Sequence, residues 1–115
     1  MKNWMVSLTL VAVTAMPVLA QSHNREVELH NRDSESIYYV YATNAGVDDW
    51  GDDWLGEDVI IEDKTTRFDF TDGSDACKFD IRVKFADDTA QDLYGVDVCA
   101  VSHIDASRTQ LVVTE

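Results

Sequence analysis

The chain has 115 residues, 22 of them acidic against nine basic, for a net charge of −13. Such a field repels phosphate backbones and anionic lipid surfaces, which excludes nucleic acid binding and direct membrane binding by the exported domain, and it attracts cations and basic proteins.

Residues 1–20 read as a signal peptide. Lys2 supplies a short positive start, and a mostly apolar run of about fifteen residues leads from Val6 to Val18-Leu19-Ala20 at the cleavage site. That run is shorter than the ~20 residues a bilayer core requires, and no basic cluster follows to hold it as an anchor. Cleavage after Ala20 removes Lys2 and leaves eight basic residues against 22 acidic ones, a net −14. Residues 21–115 then form a single small domain with a modest core. The new terminus, Gln21-Ser22-His23, offers an amine, two backbone amides and an imidazole in a square-planar set that suits Cu²⁺ or Ni²⁺. Cyclisation of Gln21 would remove that amine.

Period-two alternation runs through the rest of the chain, and no helix-period segment of useful length appears. Val27 and Leu29 alternate with Glu26, Glu28 and His30. Ser36 to Thr43 is rich in β-branched and aromatic residues, which suit a pleated surface. After a long connection, Val59-Ile60-Ile61 predicts a short strand, and Phe68 and Phe70 alternate in the next. Cys77, Phe79, Ile81, Val83 and Phe85 alternate with Lys78, Asp80, Arg82 and Lys84. This period predicts a buried Ile81, an exposed Arg82 and a cross-strand pair between Asp80 and Arg67. Leu93 to Val101 and Gln110 to Thr114 supply the last strands. Short polar connections at 62–65, 71–75 and 86–89 favour antiparallel hairpins. About seven strands at this spacing predict an all-β antiparallel sandwich, immunoglobulin-like in architecture, with a small barrel as the alternative.

Two cysteines, Cys77 and Cys99, are most simply a disulfide in an exported chain. It would close a loop of about 22 residues and contribute roughly 3 kcal/mol by restricting the unfolded chain. A metal site would need further ligands, and only His103 lies nearby in sequence.

The connection from Asn44 to Asp58 carries six carboxylates, Asp48, Asp49, Asp52, Asp53, Glu57 and Asp58, together with Trp50, Trp54, Gly51 and Gly56. Carboxylates from a flexible loop are the usual ligands of Ca²⁺, so these six are candidate metal ligands, although their spacing is not that of an EF-hand. Asp72, Asp75 and the Asp87-Asp88 turn would contribute if they fell at the same end of the sandwich. The alternatives are a structural cap, with Trp50, Trp54 and Leu55 folded back on the core, and a protein contact anchored by Trp50 and Trp54.

Three motifs stand together here: Trp50-Gly51-Asp52-Asp53-Trp54-Leu55-Gly56, Cys77-Lys78-Phe79-Asp80-Ile81 and Gly95-Val96-Asp97-Val98-Cys99. They resemble the W-G-x-D-x-L-G, C-x-[FY]-D-[IL] and late Gly-Val-Asp-Val/Leu-Cys motifs of an uncharacterised family of small secreted bacterial β domains. Some of its members carry names borrowed from argininosuccinate lyase. The resemblance covers roughly residues 35 to 100. It implies an exported β domain with paired cysteines and supplies no catalytic residues; the mature chain is far too short for a helical lyase.

The three histidines, His23, His30 and His103, stand near no nucleophile motif, and there is no phosphate-cradling glycine loop and no zinc spacing. The expectation is therefore a non-enzymatic binding module of the periplasm or the exterior. It would bind Ca²⁺ or a protein with a basic surface through the 48–58 loop. The alternative is an inhibitor or immunity-like protein covering a basic enzyme, with its acidity speeding the encounter.

Overall fold

A computed structural model of the protein describes residues 24–115. The expected signal peptide, residues 1–20, and the expected Gln21-Ser22-His23 terminus lie outside the described residues. Seven strands run in chain order: β1 (Glu26–Asn31), β2 (Ile37–Asn44), β3 (Thr65–Asp69), β4 (Lys78–Phe85), β5 (Ala90–Asp97), β6 (His103–Ala106) and β7 (Leu111–Thr114). They form two sheets, one in the order β3-β1-β6-β7 and one in the order β2-β4-β5. All pairings are antiparallel except β1 with β6. There is no helix among the described residues.

The core lies between the sheets, where alternate residues face inward. Val27 and Leu29 of β1 meet Phe79, Ile81, Val83 and Phe85 of β4, all at 2% exposure or less. Two irregularities interrupt the alternation. A bulge between Ile37 and Tyr39 turns both Tyr38 and Tyr39 outward and leaves Val40 and Ala42 inside. In β5, three residues span what β4 spans in two, between the pairs Phe79↔Val96 and Ile81↔Leu93, and Gly95 takes up the extra residue at φ +65°.

The all-β sandwich and its single disulfide agree with the expectation. The strand order is not that of the immunoglobulin fold, in which the first, second, fourth and fifth strands share one sheet. Of the Val59–Ile61 run, only Ile60 pairs, in an isolated bridge with Ile37, while Val59 and Ile61 are each 50% exposed. The seventh strand is instead β6, whose four residues, His-Ile-Asp-Ala, bury only Ile104 and Ala106. The expected Leu93–Val101 strand begins and ends earlier, and Val98 and Val101 are buried beyond its end.

Cys77 precedes β4 and Cys99 follows β5, with Cα atoms 5.4 Å apart, so the disulfide closes the open end of one hairpin. The backbone N–H of Val98 donates to the Cys77 carbonyl at 2.8 Å beside it. The bond is compatible with an oxidising, exported location.

Candidate binding face around the acidic loop

In its sheet β2 pairs only with β4, so one of its edges has no strand partner. The acidic loop covers that edge. Trp54 N–H donates to the Val40 carbonyl at 2.7 Å, and Asp53 Oδ1 accepts from Val40 N–H at 2.9 Å and from Leu55 N–H at 3.0 Å. The Trp54 indole N–H donates to the Ala42 carbonyl at 3.2 Å, and its ring meets Phe70 edge-on at 5.0 Å. Leu55 is buried in the core. Gly51 at φ +68° and Gly56 at φ +60° turn the chain on either side of this segment. Asp49 Oδ1 accepts from Gly51 N–H at 2.9 Å, tightening the first turn.

Trp50 lies against Arg82 of β4 and Tyr94 of β5. The Arg82 guanidinium stacks over its ring at 4.7 Å from the centroid, and Tyr94 stands 6.3 Å away. Arg82 makes a two-pronged pair with Asp92, at 2.7 and 2.8 Å, and Tyr94 Oη donates to the same carboxylate at 3.2 Å. The hydrogen bonds from Arg82, ahead of every other cause, hold the Asp92 carboxyl below the usual carboxylate range. Arg82 is therefore half-buried and engaged on both sides, not the exposed and idle residue its alternation predicts. Farther along the same face Tyr39 and Tyr41 stack at 6.1 Å, with Lys84 Nζ 5.7 Å from the Tyr39 ring.

Asp80 also departs from expectation. It is 8% exposed and does not meet Arg67, which lies in the other sheet and pairs with Glu28 at 3.0 Å. Its carboxylate accepts from Gly46 N–H at 3.1 Å and from Gly95 N–H at 2.9 Å. It thereby ties the turn after β2 to the bulge in β5. The spacing of Asp80 and Gly95 in sequence conceals this contact, because the bulge brings the Gly95 amide round to face β4.

Of the candidate metal ligands, Asp48, Asp49, Asp52, Glu57 and Asp58 are exposed, and Asp53 is half-buried with one oxygen bound to two backbone amides. No three of them converge. Among the described residues the one trio of ligand atoms within 4.8 Å of each other is Cys77, Asp97 and Cys99, whose sulfurs form the disulfide. Asp72 does reach the loop. It lines a hollow of about 580 Å³ together with Val47, Trp50, Asp52, Asp53 and Trp54. Its Oδ1 accepts from the Ser74 hydroxyl at 2.6 Å and from Ser74 N–H at 3.0 Å, and the hydroxyl bond above all holds its pKa below the usual range. The Asp87-Asp88 turn follows the far end of β4, where Asp87 pairs with Arg108 at 3.0 Å.

Neither family models, curated proteins nor solved structures match the chain.

On the outer face of the other sheet, His30 and His103 stack at 6.4 Å, a proximity that their separation of 73 positions hides. His30 Nδ1 is 2.6 Å from Thr65 Oγ1, while its buried Nε2 makes no hydrogen bond and stands 3.9 Å from Asp63 Oδ1. That separation exceeds the ~2.6–3.2 Å at which an acid orients a catalytic base. His103 Nε2 is 2.8 Å from Asp105 Oδ1.

Proposed function

We propose that this protein is an exported, non-catalytic binding module that engages a partner with a basic surface through the face carrying the acidic loop. The observation that carries this reading is the division of labour between the two tryptophans. Trp54 closes the sheet edge against the core, while Trp50 stays half-exposed beside Tyr94 and borders a hollow rimmed by carboxylates. Tryptophan, tyrosine and arginine clustered in a half-exposed patch are the side chains that dominate binding at protein interfaces. The net −14 of the mature chain would speed encounter with a positive surface and repel a second copy.

The reading favours a basic partner over Ca²⁺, because Ca²⁺ takes six to eight converging oxygens and no three of the loop carboxylates bring their oxygens within 4.8 Å of one another. An inhibitor or immunity-like role is the narrower form of the proposal, seen as a stoichiometric loss of a basic enzyme's activity. The test is binding of the mature protein to a panel of basic, neutral and acidic exported proteins at several salt concentrations. Selective, salt-sensitive binding of basic members, with slower association in the Asp49→Asn, Asp52→Asn double variant, supports the reading. Equal binding across the panel removes it.

A further inference from the structure

We infer that the hollow between Trp50 and Trp54 is a receptor for a single organic cation, an alkylammonium or guanidinium group. The inference rests on the reading that this face meets a basic partner, and it names the chemical group recognised. The hollow, about 580 Å³, falls within the ~300–1,000 Å³ range of small-ligand pockets. Its lining combines Trp50, Trp54 and Val47 with Asp52, Asp53 and Asp72. An indole face is the strongest aromatic partner for a cation, and nearby carboxylates add a formal counter-charge. Asp72 comes from the β3–β4 connection, and the Ser74 hydroxyl above all holds its carboxyl below the usual carboxylate range.

The protein already uses one of these rings in this way. Trp50 borders both the hollow and a neighbouring groove that holds Arg82, and the Arg82 guanidinium sits 4.7 Å from its centroid. The hollow thus places Trp50, whose ring already stacks on a guanidinium, beside Trp54 and three carboxylates with no lysine or arginine among its lining residues, while Arg25 acts on Asp72 from outside that lining. A small, strongly hydrated metal ion gains little from indole walls. A bulky, weakly hydrated organic cation gains contact with both the rings and the acids.

Such a group could belong to a free small molecule or to a lysine or arginine side chain of a protein, and the experiment separates the two. The mature, disulfide-bonded protein is titrated with tetramethylammonium, with methylguanidinium and with a short arginine-rich peptide. The two indole N–H signals, of Trp50 and Trp54, are followed by ¹H–¹⁵N NMR, with NaCl at matched ionic strength as the control. Saturable shifts with the organic cations and not with NaCl are expected. Trp50→Ala should weaken binding about tenfold, which corresponds to ~1.4 kcal/mol, between the values for an exposed and a desolvated cation–ring contact. Trp50→Phe, which keeps an aromatic face, should bind within a few-fold of wild type, and Asp72→Asn, which keeps the Ser74 contacts, should weaken binding several-fold. Shifts reproduced by NaCl, or binding unchanged in both Trp50→Ala and Asp72→Asn, overturn the cage. If peptide binding persists in those variants, the basic-partner reading stands without the cage. Saturable binding of methylguanidinium with none of the peptide keeps the cage and removes the protein partner.

Discussion

Single side chains decide more of this structure than their type suggests. Asp80 accepts two backbone amides from segments 49 positions apart, Gly46 and Gly95. Hydrogen bonds to a charged acceptor contribute about 1.5–3 kcal/mol each, so losing both in Asp80→Ala should cost about 3–6 kcal/mol, and Asp80→Asn, which keeps one oxygen acceptor, distinctly less. Urea denaturation of the two variants checks this, and equal losses would mean that only volume matters there. Two positions along, Arg82→Ala should cost about 1 kcal/mol through loss of the Asp92 pair and the Trp50 stack. The neighbouring Ile81→Ala should cost about 2–5 kcal/mol through the cavity it leaves. Arg82 also sets a pH dependence. Its hydrogen bonds lower the Asp92 pKa in the folded state, so the pair stabilises fully above the unfolded-chain value of ~3.9. That contribution is lost as pH falls through the lowered value. Acid unfolding followed by circular dichroism should show a shallower decline below about pH 4 in Asp92→Asn than in wild type.

At the scale of elements, the acidic loop behaves as a clip on β2. Free strand edges invite pairing with other chains, and a covering loop is one way of blocking them. Here the cover consists of two backbone-directed bonds at Val40, from Asp53 and Trp54, secured by the Trp54 ring against Phe70. Removing that ring should both destabilise the fold and uncover the edge. Trp54→Ala is expected to cost about 3 kcal/mol, the lower end for a large aromatic because the side chain is only part-buried. It should also aggregate faster near its melting temperature. Light scattering on wild type, Trp54→Ala and Trp50→Ala makes the comparison. Aggregation of Trp50→Ala as fast as that of Trp54→Ala would contradict the clip, since Trp50 lies on the sheet's outer face. The disulfide closes the β4–β5 hairpin at its open end, next to the Asp80–Gly95 tie, so two independent restraints hold the strand that carries Asp92 and Tyr94.

For the whole molecule, charge is the dominant long-range term. A net −13 across a chain of this size destabilises the compact state through self-repulsion, and salt weakens that repulsion over a Debye length of ~8–10 Å. NaCl should therefore raise the melting temperature. Because the carboxylates of the 48–58 loop do not converge, CaCl₂ at matched ionic strength should raise it no further. A calcium-specific increase, abolished by Asp49→Asn with Asp52→Asn, would show that the loop rearranges to gather its carboxylates around the ion. The acids instead surround the aromatic features of one face, where they can act on a partner's positive charge.

The period-two alternation of β1 and β4 and the two-cysteine count were legible in the sequence because each depends on local order alone. A strand's side chains alternate whatever it pairs with, and a disulfide follows from having one partner available. The roles of Asp80, Arg82 and the two tryptophans were not legible, because they depend on which strands become neighbours and where a bulge adds a residue. An identical -Asp- between two apolar strand residues points to water in a regular ladder and to backbone amides beside a bulge. Strand β6 carries too little pattern to stand out in the sequence, because its four residues offer only two small or aliphatic inward positions. The apolar run Val59–Ile61 has a strand's composition, but it pairs only through Ile60 with Ile37, so Val59 and Ile61 are left half exposed. Composition alone showed that the 48–58 loop is acidic and aromatic. Only the tertiary structure placed Trp54 inside and Trp50 outside, since the chain had first to cross the edge of β2 before its two sides could differ.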